Sequence, residues 1–200
     1  MRQRAHRRNG LGCASAVAVV GLVLTGCGGG EQEPAAESSP SATPTVEAVL
    51  GEGSFPVVED VNRSSAEDVA STTARLGHSW DTEFDTTQTD ALERAKPLMS
   101  DEFAETVQAP ERNAAQGEWV TAAESQAYSA PQLSPAASDA AAQDYGPNRE
   151  AFSYTVTWDW IGRDGTTADG EGRRNVQVFV ERADDDADWK VVGYVADSVS

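Results

Sequence analysis

Cysteine, histidine, methionine and lysine each occur only twice in this 200-residue chain. Both cysteines, Cys13 and Cys27, lie within the first 27 residues, so the rest of the chain holds no disulfide and must be stabilised by an ordinary core. Beyond residue 27 His78 stands as the one histidine, which excludes a paired-histidine acid/base site and a His-rich metal site. Positive charge is also scarce: 15 Lys+Arg face 33 Asp+Glu, a formal net charge of −18. Arg2, Arg4, Arg7 and Arg8 all precede the first acid, Glu31, leaving 11 bases against 33 acids after residue 27. Bulk charge therefore excludes polyanion binding, and no nucleic-acid partner is expected. No uncharged apolar run reaches the roughly 20 residues that a membrane-spanning helix needs. Nucleophile-elbow, phosphate-loop and HExxH sequences are missing beyond residue 27, and no cofactor or metal is implied.

What is present begins with an address. Residues 1–10 are cationic, residues 11–24 (LGCASAVAVVGLVL) are apolar, and Leu24-Thr25-Gly26-Cys27 closes the run with small residues, the layout of an export signal. Arg7-Arg8 faintly resembles a twin-arginine signal, but Asn9-Gly10 stands where that signal prefers a bulky apolar residue, so the general route is favoured. The Leu24 to Cys27 sequence resembles the lipobox of bacterial lipoproteins. That resemblance implies a signal peptide over residues 1–26, cleavage between Gly26 and Cys27, and diacylglyceryl attachment, with fatty acids such as palmitate, to the Cys27 thiol. Two acyl chains give a durable anchor where one binds marginally. The implied location is the extracytoplasmic face of the cell membrane.

Residues 27–60 are rich in Gly, Ser, Pro and Glu and bury too little apolar surface to order themselves, which predicts a disordered tether. Residues 46–50 and 55–58 are apolar enough to dock onto a domain spanning 61–200. There the texture changes. Ser64-Ser65-Ala66-Glu67-Asp68 offers a capping-box start, followed by Val69, Thr73, Leu76, Trp80 and Phe84 on one stripe of a four-turn helix. A second helix is predicted from Thr89, with Leu92, Ala95 and Met99 as its stripe and Pro97 bending or ending it. A third starts at Ser100 and reaches Val107, and residues 110–123 can continue helically with Trp119 and Val120 turned inward.

The C-terminal third has another period. In residues 152–160, Phe152, Tyr154, Val156, Trp158 and Trp160 alternate with small or polar residues, as in a half-buried strand. Asp164-Gly165 marks a turn, Val176, Val178 and Val180 alternate in a second long strand, and residues 189–196 form a third. Residues 126–134 are predicted as an edge strand, because Pro131 would interrupt a central ladder. Between that strand and Glu150, residues 138–144 form a helical turn or the loop is mobile. Helices first and a curved antiparallel meander afterwards predict an α+β layer fold. The Trp80-Asp81 helix end, the segment from Leu92 to Met99 before Phe103, and the aromatic strand ahead of Asp164-Gly165 resemble the NTF2-like, cystatin-related cone. That resemblance implies helices packed on a curved sheet of about four strands around an interior that often holds a pocket.

Candidate chemistry is sparse. His78, beside Trp80 on a helix end, is expected to be a surface or partly buried structural residue. Asp81 and Asp85 are expected to cap or solvate that end, and Asp159 to face away from the interior. Asp184, Asp185, Asp186 and Asp188 lack the alternating spacing and glycine of a calcium loop and read as a solvated turn. Trp80, Trp119, Phe152, Tyr154, Trp158 and Trp160 are the candidate lining of an apolar ligand pocket, weighed against plain core. The expectation is a nonenzymatic, lipid-anchored accessory domain that binds an envelope protein, such as one of a secretion or transport system. The alternative is apolar-ligand binding in the aromatic interior.

Overall fold

The computed structural model describes residues 47–109 and 117–198. The predicted export signal, Gly26, Cys27 and most of the predicted tether lie outside the described residues. The chain is α+β, with several short helices and a four-stranded antiparallel sheet in the order β1-β2-β3-β4: β1 (Tyr128–Pro135), β2 (Arg149–Ile161), β3 (Thr167–Glu181) and β4 (Lys190–Ser198).

The first helix, α1 (Ala66–Leu76), starts where the Ser65 hydroxyl accepts the Asp68 amide at 3.1 Å. Val69, Thr73 and Leu76 are buried as their stripe requires. The helix is shorter than the stripe suggested, because Gly77 ends it after three turns. Trp80 is nevertheless buried, in the following loop, whereas Phe84 is 49% exposed and lies under the Arg163 guanidinium. Next comes α2 (Gln88–Glu93), opened by a reciprocal box between Thr87 and Asp90, slightly earlier than the predicted start at Thr89. Pro97 then sits in a 3-10 turn (Lys96–Leu98). Ser100 caps α3 (Asp101–Thr106), and α4 (Gly117–Glu124) follows. In α4 Trp119 packs on the core while Val120 is half exposed, so only one of the two turns inward. A last helical turn, α5 (Asp139–Ala142), lies between β1 and β2.

On β2, Tyr154, Val156, Trp158 and Trp160 are buried while Thr157 and Asp159 are exposed, as a two-residue period dictates. Ser153 departs from that alternation. It is buried because its backbone accepts the Ala136 amide at 2.8 Å and its hydroxyl meets that of Ser138, the cap of α5. On β3, Val176, Val178 and Val180 are fully buried. Register shifts beside Asp159/Trp160 and beside Phe179/Val180 interrupt both ladders of β3. Such bulges bend a strand and increase its twist. Pro131 lies on β1, an edge strand, where a missing amide is tolerated. Buried side chains of α1 and of the sheet belong to one hydrophobic cluster with Leu98, Met99 and Trp189, and α1 contacts all four strands.

Residues 47–60, read from the sequence as the end of the tether, carry two 3-10 turns, Leu50–Gly53 and Val58–Asp60. Phe55 meets the Tyr128 ring edge-on, and Val58 packs against the core. This segment belongs with the folded unit, which extends from residue 46.

Candidate functional site

The loop between α1 and α2 brings most of the buried polar groups together. Ser129 on β1 pins it: its hydroxyl accepts the Trp80 amide at 2.7 Å and donates to the His78 carbonyl at 2.5 Å. Asp81 and Asp85 are buried rather than solvated. Arg163, from the turn between β2 and β3, donates to both Asp81 oxygens through Nη2 at 2.8 and 2.7 Å, and Asp81 also accepts the amides of Gly51 and Glu83. Asp85 accepts the Asp81 amide at 2.9 Å and is bound by both Nη atoms of Arg94, which also reaches the Ser79 carbonyl. Arginine and backbone donors on both oxygens of Asp81, and on Asp85, fix the geometry and leave neither carboxylate open to act on a ligand.

His78 is also fully buried, against the expectation of a surface or partly buried residue. Its ring lies 5.2 Å from that of Trp80 and 5.4 Å from that of Trp158. Burial, with a smaller contribution from Arg174, lowers its pKa to about 4 in spite of the bond to Ala74. Nδ1 donates to the Ala74 carbonyl at 3.0 Å, so the neutral ring carries its proton on Nδ1 and presents a lone pair on Nε2. The Tyr194 hydroxyl stands 3.3 Å from Nδ1 on the other side. It comes so close because Gly77 has no side chain: a β-carbon there would meet that hydroxyl at 2.6 Å.

Around this ring four tryptophans make a continuous cluster. Trp80 contacts Trp158 edge-on at 5.0 Å and stacks on Trp160 at 6.0 Å, and Trp119 meets Trp160 edge-on at 5.9 Å. Arg174 enters from β3. Its guanidinium carbon lies 5.5 Å from the Trp80 centroid and 5.6 Å from that of Trp158, the distance range of cation–π attraction. Among the described residues it makes one hydrogen bond, to Gln88 Oε1 at 3.3 Å, and no ion pair. Five buried polar atoms in these surroundings have no hydrogen-bond partner among the described residues: His78 Nε2, Gln88 Nε2, Glu118 Oε1, Trp158 Nε1 and Trp160 Nε1. Burial raises the Glu118 carboxyl above its usual range, opposed by Arg174. Tyr194 is likewise raised by burial and opposed by Arg174.

Of the six residues predicted to line a pocket, Trp80, Trp119, Trp158 and Trp160 come together in this cluster. Phe152 and Tyr154 stack on each other at 6.4 Å further along β2 and line a separate groove of about 500 Å³ beside α5. Burial pushes the Tyr154 hydroxyl up to about 12, reinforced by Glu67 and Asp68. A second groove, of about 480 Å³, opens on the outer face among Gln132, Thr157, Asp159, Glu171 and Arg173. Asp159 lies there, on the exposed side of β2. Asp184 to Asp188 occupy the exposed turn before β4, where Asp185 pairs with Arg182. Among the described residues no group of three or more His, Cys, Asp and Glu could hold a metal ion, and no helix is long and apolar enough to cross a membrane.

Sequence reasoning missed Arg174, Gln88, Glu118 and Tyr194. One signal was available: continuing the inward parity of Val180, Val178 and Val176 by one step lands on Arg174, a cation in a row of core positions. No family model matches the chain, and no curated protein or solved structure resembles it significantly.

Proposed function

We propose that this chain is a lipid-anchored lipoprotein of the extracytoplasmic membrane face whose NTF2-like cone acts as a nonenzymatic accessory domain, held near the bilayer to engage an envelope protein. The observation that carries the reading is Leu24-Thr25-Gly26-Cys27 at the end of a 14-residue apolar run, about twenty residues ahead of a folded unit. Four antiparallel strands, one bulge on β3 and one on β4, and contact of α1 with every strand favour a curved sheet covered by helices. The commitment of Asp81 and Asp85 to arginines favours a structural role for the acids that a catalytic cone would aim inward. Cross-linking in membranes followed by affinity purification tests the function. Recovery of one reproducible envelope protein supports it, and recovery of none defeats it.

A second reading, ligand binding within the aromatic interior, is favoured by a specific observation. Buried polar atoms are nearly always hydrogen-bonded, yet five around the tryptophan cluster have no partner among the described residues.

A further inference from the structure

Arg174 pairs with Val156 across the β2–β3 ladder, on the face where Val176 and Val178 are buried. Two residues earlier, Gly172 faces Trp158 and supplies no side chain, so the indole lies across that position and Arg174 settles over it. Cation–π contact orients the guanidinium without using its N–H donors, of which there are five. One long bond to Gln88 leaves most of them open, in a half-buried place where Arg174 makes no ion pair among the described residues and burial disfavours the charged form of the nearby Glu118 carboxyl. The neighbouring unpartnered atoms include three further N–H donors, Gln88 Nε2, Trp158 Nε1 and Trp160 Nε1, and one fully buried acceptor, His78 Nε2.

From this arrangement we infer that the cluster around Arg174 is a binding site for a small organic carboxylate, held as a monoanion with its carboxylate on the half-buried guanidinium and its body against the rim of the indole cluster. The inference rests on the second reading above, that the interior holds a ligand. A carboxylate suits a planar fork of donors, and the indole walls require an organic body. The neighbouring Glu118 carboxyl and a chain of net charge −18 disfavour a multiply charged anion such as phosphate. The lone pair of His78 favours a ligand that also carries a hydrogen-bond donor.

The test uses the full lipidated chain in detergent micelles and follows the indole N–H signals by ¹H–¹⁵N NMR. Trp189, stacked under Arg182 outside the cluster, serves as internal reference. Propionate and benzoate are titrated against propionamide, benzamide and inorganic phosphate. The expected result is saturable movement of the Trp158 and Trp160 signals with at least one carboxylate, its amide binding at least about tenfold more weakly, as loss of a charge-assisted bond requires. Arg174→Gln should abolish the preference, Arg174→Lys should keep part of it, and Gln88→Ala should weaken carboxylate binding several-fold. If Arg174→Gln does not fold, Gln88→Ala decides, and an unchanged carboxylate preference there overturns the inference. Amides binding as well as carboxylates, or phosphate binding better, would overturn the carboxylate assignment and leave interior binding standing. No movement of any cluster indole with any probe would defeat both.

Discussion

A β-carbon at position 172 would sit 1.9 Å from Cζ2 of Trp158, inside the van der Waals envelope of a ring that cannot step aside without disturbing Trp80 and His78. Gly172→Ala is therefore expected to cost about 3 kcal/mol, the upper part of the usual range for overpacking. Trp158→Ala should cost about 3 to 5 kcal/mol through lost burial and the cavity left behind. Thr157→Ala, on the exposed side of the same strand, should cost about 0.5 kcal/mol or less. Denaturant melts of the three variants check the set, and similar losses for Trp158 and Thr157 would contradict a one-sided β2. His78 gives a second residue-scale expectation. Its folded pKa of about 4 lies below the ordinary 6.5, so between these values the unfolded chain binds a proton that the folded chain refuses. The contribution to stability is complete above pH 6.5 and is lost as pH falls through 4, amounting to about 3 kcal/mol at most. Comparing His78→Gln with the native chain from pH 7 to 4.5 should show a flatter decline in the variant, and equal slopes would refute it.

Between elements, the segment 47–60 and the turn after β2 depend on one arginine. Arg163 donates to Asp81, to Glu52 and to the Val49 carbonyl, and it lies over the Tyr128 ring. Arg163→Met should cost about 3 to 5 kcal/mol, because it strands a fully buried carboxylate. It should also free residues 47–58 to exchange their amides and be cut by protease before the sheet unfolds. Hydrogen exchange followed peptide by peptide separates the two effects, and unchanged protection of that segment would show that Phe55 and Val58 hold it alone. None of this was legible from spacing, since Asp81 and Arg163 are 82 residues apart in sequence and neither interrupts a local pattern. The strands were legible because a period of two marks both faces of the sheet at once. Helix starts were legible to within one turn through their capping serine and threonine residues. The end of α1 was misplaced because Trp80 and Phe84 continue its stripe in spacing alone, while Gly77 stops the helix first. Arg174 was overlooked because a cation on a core-facing parity looks like the end of an apolar pattern rather than part of a site.

At the scale of the whole molecule the proposal divides the chain into an anchor, a short tether and a folded unit, and the division can be tested one boundary at a time. Deleting residues 30–45 removes only sequence ahead of the folded unit, which extends from residue 46. The melting temperature should stay unchanged, and a fall of several degrees would mean that these residues join the core. Deleting residues 47–58 as well should lower it markedly, because Gly51, Phe55 and Val58 all contact the domain. The anchor rests on a single atom, the Cys27 sulfur, to which the lipid would be attached. Cys27→Ser should therefore release the protein from membranes or leave an unprocessed precursor, and replacing Gly26 with a bulky residue should stall cleavage. Partition into detergent phase and metabolic labelling with a fatty acid measure both outcomes. The expected result is a labelled, detergent-phase native protein and an unlabelled, aqueous or precursor Cys27→Ser variant. Because no described helix is long and apolar enough to cross a membrane, a processed variant that stays in the detergent phase without label would place the anchor elsewhere and overturn the lipoprotein reading.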